Sequence, residues 1–476
     1  MNKDFLIILS GRLLQVLISL IAIRALTTLL SVEEVGNYYI LLAILAFFNL
    51  VLLNPPGVFF ARNLLHWNKS QNLLNALFVF ALWILIVAIV SIPISKFLFV
   101  TLGYETKFDA DLFLAYVFAA ILVSTIHRNS MYGVNTLGHR KKFVIYLIST
   151  LLLGLTLSVS IAYLYYDLAL GWLIGGVLSE LLTVFVIIKF FIHNSQLSVK
   201  KVRKTLNEDK IKKILIFCLP IGLTTFLMWG QNTAYRFIVD YSYSAEVLGY
   251  LSIGLGISSA IFASLESILM QYFNPIFLKN ILDSSRNERA LAWNNIAKQV
   301  VPIYIVTTFF VIAMSEVLIN LLADEKFLES YVYIMIGALI EFFRVMTSLL
   351  INVSQSEYKT TGTVAPYTIG FLVSIVTLSL FDFGSNVFMI PIVLSFAYFM
   401  VFVLMYKNMK KVLDIKYDFD FFKLVLFSIP FFVIYLVDYN KVSLLSNLAM
   451  IILFGLYYLY LIWQISIKHL LIRKGF

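Results

Sequence analysis

Five arginines stand inside long apolar runs of the chain: Arg12, Arg24, Arg128, Arg236 and Arg344. Charge in the hydrocarbon of a bilayer is costly and is normally kept because it faces a partner or a transport path. A guanidinium stays protonated where solvation is poor and grips phosphate through two parallel hydrogen bonds. This residue type at this depth suits an anion that must cross a membrane. Arg24 and Arg236 lie toward the outer side, Arg128 and Arg344 toward the inner side, and Arg12 in the inner third of the first run. Arg62, just below the second run, would guard the cytoplasmic mouth, and all six are candidate substrate-binding residues. Local pairing competes with this role for two of them, since Arg236 precedes Asp240 by four residues and Arg344 follows Glu341 by three. Arg24 and Arg128 have no acid within one turn of the same helix.

Four acids, Glu180, Glu266, Glu316 and Glu341, also fall in apolar runs. A carboxyl group in a poorly solvated site takes up a proton more readily, so these are candidates for H+ or Na+ coupling. Neutralising the arginines is their competing role. Trp229, Gln231, Asn232, Gln271, Tyr272 and Asn274 are candidates for a sugar path, by stacking and amide hydrogen bonds, with helix packing and an aromatic belt as the alternative. No G-x-x-x-x-G-K-[ST] loop, C-x-x-C or H-E-x-x-H occurs, so no catalytic residue, metal site or organic cofactor is expected. The five histidines are read as lying at or near cytoplasmic ends, and the lone Cys218 excludes an intramolecular disulfide.

The elements that position these groups follow from composition. Of 476 residues, 61% are hydrophobic and 13% charged, against about 25% charged in a soluble domain. That excludes a soluble globular enzyme. Runs of about 20 apolar residues span a bilayer, and they predict helices near 5–30, 36–58, 73–101, 111–135, 142–166 and 169–192. A second set follows near 214–240, 247–278, 298–323, 328–352, 363–382 and 386–407, with two more near 421–438 and 444–466. The expected fold is therefore all-α and integral to the membrane, with 14 transmembrane helices. Asn54-Pro55-Pro56-Gly57 is expected to kink or end the second. The first run lacks a small-x-small cleavage site and is read as a retained span.

With the N-terminus in the cytoplasm, the cytoplasmic segments hold 26 lysines and arginines and the outer loops three, Lys107, Lys326 and Lys441. This is a strong positive-inside pattern with both termini inside. The net charge of +10 therefore records topology, and no nucleic-acid partner is needed. The basic loop 193–213 reads as a linker, or as a surface-lying helix with Leu197, Val202, Leu206 and Ile214 on one stripe.

The two halves echo each other. Arg24 and Glu34 match Arg236 and Glu246 at an offset of 212, Arg128 matches Arg344 at 216, and Asn135 and Lys142 match Asn352 and Lys359 at 217. An offset of six spans keeps orientation, so a parallel repeat is expected. It divides the chain into an N-lobe (1–192), the linker (193–213), a C-lobe (214–407) and a C-terminal pair of helices (408–476).

The stretch Arg24-Ala25-Leu26 followed by Ser31-Val32-Glu33-Glu34-Val35-Gly36-Asn37-Tyr38 resembles the first-span signature of bacterial polysaccharide exporters of the MOP flippase superfamily. Leu219-Pro220-Ile221-Gly222, Trp229, Arg236 and Gly249-Tyr250 resemble the second-half signature, and Asn135-Thr136-Leu137-Gly138-His139-Arg140-Lys141 fits the turn after span four. The likeness is nearest to O-antigen-type (Wzx-like) lipid-linked oligosaccharide flippases. It departs at Tyr235, where many relatives place an acid, so ion coupling does not transfer to that position. The resemblance implies a bacterial inner-membrane protein that moves an undecaprenyl-diphosphate-linked oligosaccharide to the periplasmic leaflet by alternating access, through a central cationic cavity between the lobes. Lipid-linked oligosaccharide, membrane lipids and other polysaccharide-assembly membrane proteins are the implied partners. An ion-coupled multidrug or metabolite exporter of the same superfamily is the alternative. A membrane polymerase or ligase would carry a large outer loop, and every outer loop here is short.

Overall fold

In the computed structural model, the described residues are 3–164, 169–193, 208–281, 284–357, 359–384, 386–436 and 444–467. Every regular element among them is helical. Thirteen helices are long and apolar enough to cross a membrane, and Phe421–Leu436 is a shorter apolar one. Helices close all their backbone hydrogen bonds internally, which is what a hydrocarbon solvent demands. This thirteenth apolar segment is shortened because Pro430, which has no N–H, sits where the α-helix Phe421–Ser428 gives way to a 3-10 turn, Ile429–Leu436. The linker stripe residues Leu197, Val202 and Leu206 lie outside the described residues, as do Lys441, Lys468, Arg473 and Lys474.

Contacts group the chain into two compact units, Met1–Gly249 and Tyr250–Phe476. The first contains α1 (Lys3–Leu29), α2 (Val32–Phe47), α3 (Asn54–Lys69), α4 (Leu73–Thr101), α5 (Ala110–Thr136), α6 (Arg140–Leu164), α7 (Ala169–His193), α8 (Glu208–Trp229) and α9 (Tyr235–Ser242). The expected break at Asn54-Pro55-Pro56-Gly57 does not end the second span, which runs from Val32 to Lys69. A π-helical turn, Phe48–Leu53, joins α2 to α3 and absorbs the prolines. Pro56 cannot return a hydrogen bond to the Leu52 carbonyl, and the Trp83 indole donates to that oxygen instead at 3.1 Å. A second π turn, Gly230–Ala234, joins α8 to α9.

Helices α6 and α7 form the tightest pair of this unit. Ser158 Oγ donates to the Trp172 carbonyl at 2.7 Å, and a Cβ at Gly175 would fall 2.3 Å from the Ser158 nitrogen.

The second unit takes the rest of α10 (Ala245–Ile281), then α11 (Arg286–Ala313), α12 (Ser315–Leu322), α13 (Tyr331–Ser356), α14 (Val364–Leu380), α15 (Met389–Val412), α16 (Phe421–Ser428) and α17 (Leu444–Ile462). A capping box starts α11, with Ser285 Oγ accepting from the Glu288 N–H and the Glu288 carboxylate accepting from the Ser285 N–H. The segment after α15 is strapped across this end. Arg286 donates to the Val412 carbonyl at 2.7 Å, and Asn294 Oδ1 accepts from the Lys416 N–H at 2.8 Å. The last helix is tied to α11 where Thr307 and Tyr458 hydroxyls meet at 2.8 Å, and Tyr435 donates to the Ile312 carbonyl at 3.0 Å.

Gly175→Ala is expected to destabilise the protein by about 1–3 kcal/mol, because α6 and α7 must part to admit the methyl group. Gly176→Ala has open space, and should leave stability unchanged or raise it by up to about 1 kcal/mol through helix propensity. Thermal unfolding in one detergent compares them, and equal melting temperatures would refute the close approach.

Candidate functional site

The signature before α2 has a structural reason at each residue. Ser31 caps the helix, accepting the Glu34 N–H. Glu34 reaches out of its own helix, with Oε2 accepting the Ala169 N–H at 2.6 Å and Oε1 accepting from Asn37 Nδ2 at 2.8 Å. One carboxylate thereby closes the start of α7, where the helix dipole favours negative charge. A Cβ at Gly36 would sit 1.9 Å from the Ala245 carbonyl oxygen, and one at Gly249 would sit 2.2 Å from the Val32 carbonyl oxygen. The two glycines of the repeated motif each let a backbone carbonyl of the other motif come into contact.

Arg236 lies beside this crossing. Its guanidinium stands 5.0 Å from the centre of the Tyr39 ring and 5.9 Å from that of Tyr235, and Nη1 donates to the Tyr39 carbonyl at 3.4 Å. The alternative local pair with Asp240 does not form. Asp240 instead accepts from Lys107 Nζ at 2.6 Å, from the loop between α4 and α5. Lys107 also covers the Tyr104 ring at 5.5 Å. Burial, and then the Asp240 carboxylate that its hydroxyl approaches, push the Tyr104 phenol well above its usual range. A loop lysine that the sequence offers only as a topology marker is thus a structural partner 133 residues away from its acid.

Arg128 and Arg344 are held by different partners. Arg128 on α5 is exposed and donates Nη2 to Asn49 Oδ1 of the π turn at 2.8 Å. The π turn that precedes the prolines of α3 therefore also presents an amide to the arginine. One turn away on α5, Ser124 Oγ donates to Glu180 of α7 in a short hydrogen bond. His127 is buried beside it, with Nδ1 3.8 Å from the Glu180 carboxylate and Nε2 3.3 Å from Thr150 Oγ1. Thr150 in turn donates to Thr183 at 2.9 Å. His127 is therefore no helix-end histidine, as the sequence reading had it, but a member of a polar chain that crosses α5, α6 and α7. Four of that chain's members, Ser124, His127, Thr150 and Thr183, are not legible as partners from spacing.

Arg344 on α13 is held by two acids, with Nε donating to Glu341 at 2.6 Å and Nη1 to Glu266 of α10 at 2.9 Å. The expected pair with Glu341 is present and a second carboxylate joins it. Two of the four candidate acids thus meet at one guanidinium. Glu316 stands apart in the first turn of α12, and Glu180 belongs to the first unit.

Of the remaining arginines, Arg12 donates Nη1 to Gln15 at 2.7 Å and lies 6.0 Å from the Phe143 ring centre. Arg24 is half-buried on α1 and Arg62 is exposed on α3. The sugar-path candidates do not gather in one place. Trp229 is a packing anchor, donating Nε1 to the Ala43 carbonyl at 3.1 Å with Phe47 edge-on at 5.1 Å. Gln231 is fully buried in the second π turn, and both polar atoms of its amide lack a hydrogen-bond partner among the described residues. Asn232 is half-buried next to it. Gln271, Tyr272 and Asn274 are on α10 in the other unit, where Gln271 donates to Ser267 at 3.2 Å and Tyr272 is exposed. No group of three or more His, Cys, Asp or Glu is placed to hold a metal ion among the described residues.

Solved structures with this arrangement of helices are transporters. The lipid II flippase MurJ in an inward closed conformation aligns with a TM-score of 0.68 at 16% identity, covering 96% of this chain and 97% of that one. An inward-facing multidrug resistance MATE family transporter of the MOP superfamily aligns at 0.58 and 13% identity, covering 86% and 99%. A eukaryotic MATE transporter aligns at 0.57 and 13% identity, covering 86% and 96%. At these identities the likeness is one of fold. Sequence comparison with curated proteins gives no match. The sequence model of one family, described as polysaccharide biosynthesis protein, matches residues 25–332. With most of its length so matched, the chain belongs to this polysaccharide biosynthesis family, and its fold is that of the MurJ and MATE transporters.

Proposed function

We propose that this protein translocates a polyprenyl-diphosphate-linked oligosaccharide from the cytoplasmic to the periplasmic leaflet of a bacterial inner membrane by alternating access. The observation that carries the reading is the set of arginines retained in apolar spans, above all Arg128, which is accessible and held by a neutral amide. A guanidinium so placed keeps its charge and its donors for a phosphate. Arg12, Arg24, Arg62 and Arg236 extend the cationic path through the first unit. Family membership and the MurJ-like fold support a lipid-linked substrate. An ion-coupled exporter of drugs or metabolites is the second reading, favoured by the likeness to MATE transporters.

Arg24→Ala and Arg128→Ala are each expected to cut translocation of labelled lipid-linked oligosaccharide in proteoliposomes at least tenfold, the scale of one lost charge-assisted pair, with folding and insertion intact. Arg344→Gln acts differently in this reading: it strands two carboxylates, so yield falls, and Arg344→Gln/Glu341→Gln recovers part of it. Normal transport by both the Arg24 and Arg128 variants would sink the cationic path.

Glu180, tied to Ser124 and His127, is the acid we assign to H+ or Na+ coupling. Glu180→Gln should leave translocation indifferent to an imposed proton or sodium gradient, and an unchanged gradient response would remove that assignment.

The orientation places both termini in the cytoplasm. In a Cys218→Ser background, a cysteine at Ser70 should be shielded from a membrane-impermeant thiol reagent in intact cells, and one at Thr106 should be labelled. The opposite pattern would invert the proposed direction.

A further inference from the structure

At the end of the first unit that holds the α3–α4 and α5–α6 turns and the last turn of α7, the helices leave a cleft of about 710 Å³. Lys142 and Lys189 face it, with His139 and Asn68, over a floor that includes Phe190 and Phe191. No acidic side chain among the described residues lines it. Lys142 Nζ stands 4.9 Å from the Phe190 ring centre, and the His139 ring meets the same ring edge-on at 4.9 Å. The aromatic side chain thus holds two cationic or polar groups at one rim.

Lys141 and Lys142 lie in the first turn of α6, which carries no acid. The first turn of a helix is the positive end of its dipole, so a cation there is repelled by it. An anion seated in the cleft beside Lys142 relieves that repulsion. A related arrangement occurs on the twelfth span, α15, where Lys407, Lys410 and Lys411 border an apolar hollow with Phe402 and Tyr406, and Lys410 Nζ lies 5.8 Å from the Tyr406 ring centre.

We propose that the α6–α7 cleft is a binding site for the phosphate of an anionic glycerophospholipid of the cytoplasmic leaflet. Lys142 and Lys189 contact the phosphate, and Val186, Leu137 and the phenylalanines contact the first methylenes of the acyl chains. Basic recesses between membrane helices on the cytoplasmic side recognise lipid headgroups in this way. The proposal rests on the orientation argued above and not on the transported substrate.

Native mass spectrometry of the full-length protein, released from a neutral detergent with added phosphatidylglycerol or phosphatidylcholine, tests it. Phosphatidylglycerol should bind at least tenfold more tightly than phosphatidylcholine. Lys142→Gln/Lys189→Gln should weaken it about 30-fold, from roughly 1 kcal/mol per interfacial lysine, while Lys142→Arg/Lys189→Arg retains it. Lys279→Gln/Lys359→Gln, with the same loss of charge at exposed positions, should change binding less than about threefold. Equal binding of the two lipids, an equal loss in the two glutamine variants, or full displacement of the lipid by inorganic phosphate at the same concentration would each overturn the proposal. The arginine variant and the wild-type lipid comparison keep the test decisive if the glutamine variant misfolds. Loss of transport with lipid binding intact would count against the proposed function alone.

Discussion

Hydrocarbon offers no hydrogen bonds, and a polar group placed in it must find its partner within the protein. The details of this fold follow from how that demand is met. Helices meet it for the backbone, and where a helix fails, a side chain repairs it. Pro56 leaves the Leu52 carbonyl without its helical donor, and Trp83 from α4 supplies one. The start of α7 needs acceptors for its free N–H groups, and Glu34 from α2 supplies one. These repairs cost no extra element, and they also fix which helices are neighbours. Backbone satisfaction and tertiary packing are, at these places, the same interaction.

Charge obeys the same demand with a different outcome at each site. Asp240 is buried and takes Lys107 from a loop, a pair whose lysine remains partly accessible. Arg236 is satisfied by aromatic faces and a carbonyl, which disperse its charge without cancelling it. Arg128 is satisfied by an amide, and Arg344 by two carboxylates. Only the last of these neutralises the guanidinium, so the arginines are not equivalent as attractors for an anion even where the sequence makes them look alike.

The spans were legible because hydropathy is an average over twenty or more residues, which single exceptions do not disturb. The repeat was legible because Arg24, Glu34 and Gly36 recur together as Arg236, Glu246 and Gly249. The π turns were not, since a Pro-Pro pair in sequence reads as an end and its continuation depends on Trp83, a residue of another helix. Asn49, Ser124 and Thr150 were equally hidden: their partners lie 79, 56 and 33 residues away. His127 was grouped with the helix-end histidines although it falls inside the fourth apolar run, and the packing of α6 and α7 against α5 buries it there. Spacing within one helix finds Arg344 and Glu341, but only the packing of α10 on α13 adds Glu266.

The divergence of Arg128 and Arg344 bears on how a repeat protein does work. Two units with identical charge at equivalent depth would hold an anion equally well at both, and the anion would have no electrostatic reason to leave either. Here one guanidinium faces an amide, with Glu180 occupied by Ser124 and His127 nearby, and its counterpart is outnumbered by carboxylates. The guanidinium of Arg128 therefore keeps its positive charge uncancelled by its nearest partner, whereas that of Arg344 is held between two carboxylates. The difference is made by the neighbours, Asn49 beside one arginine and Glu266 with Glu341 beside the other, and not by the arginines themselves.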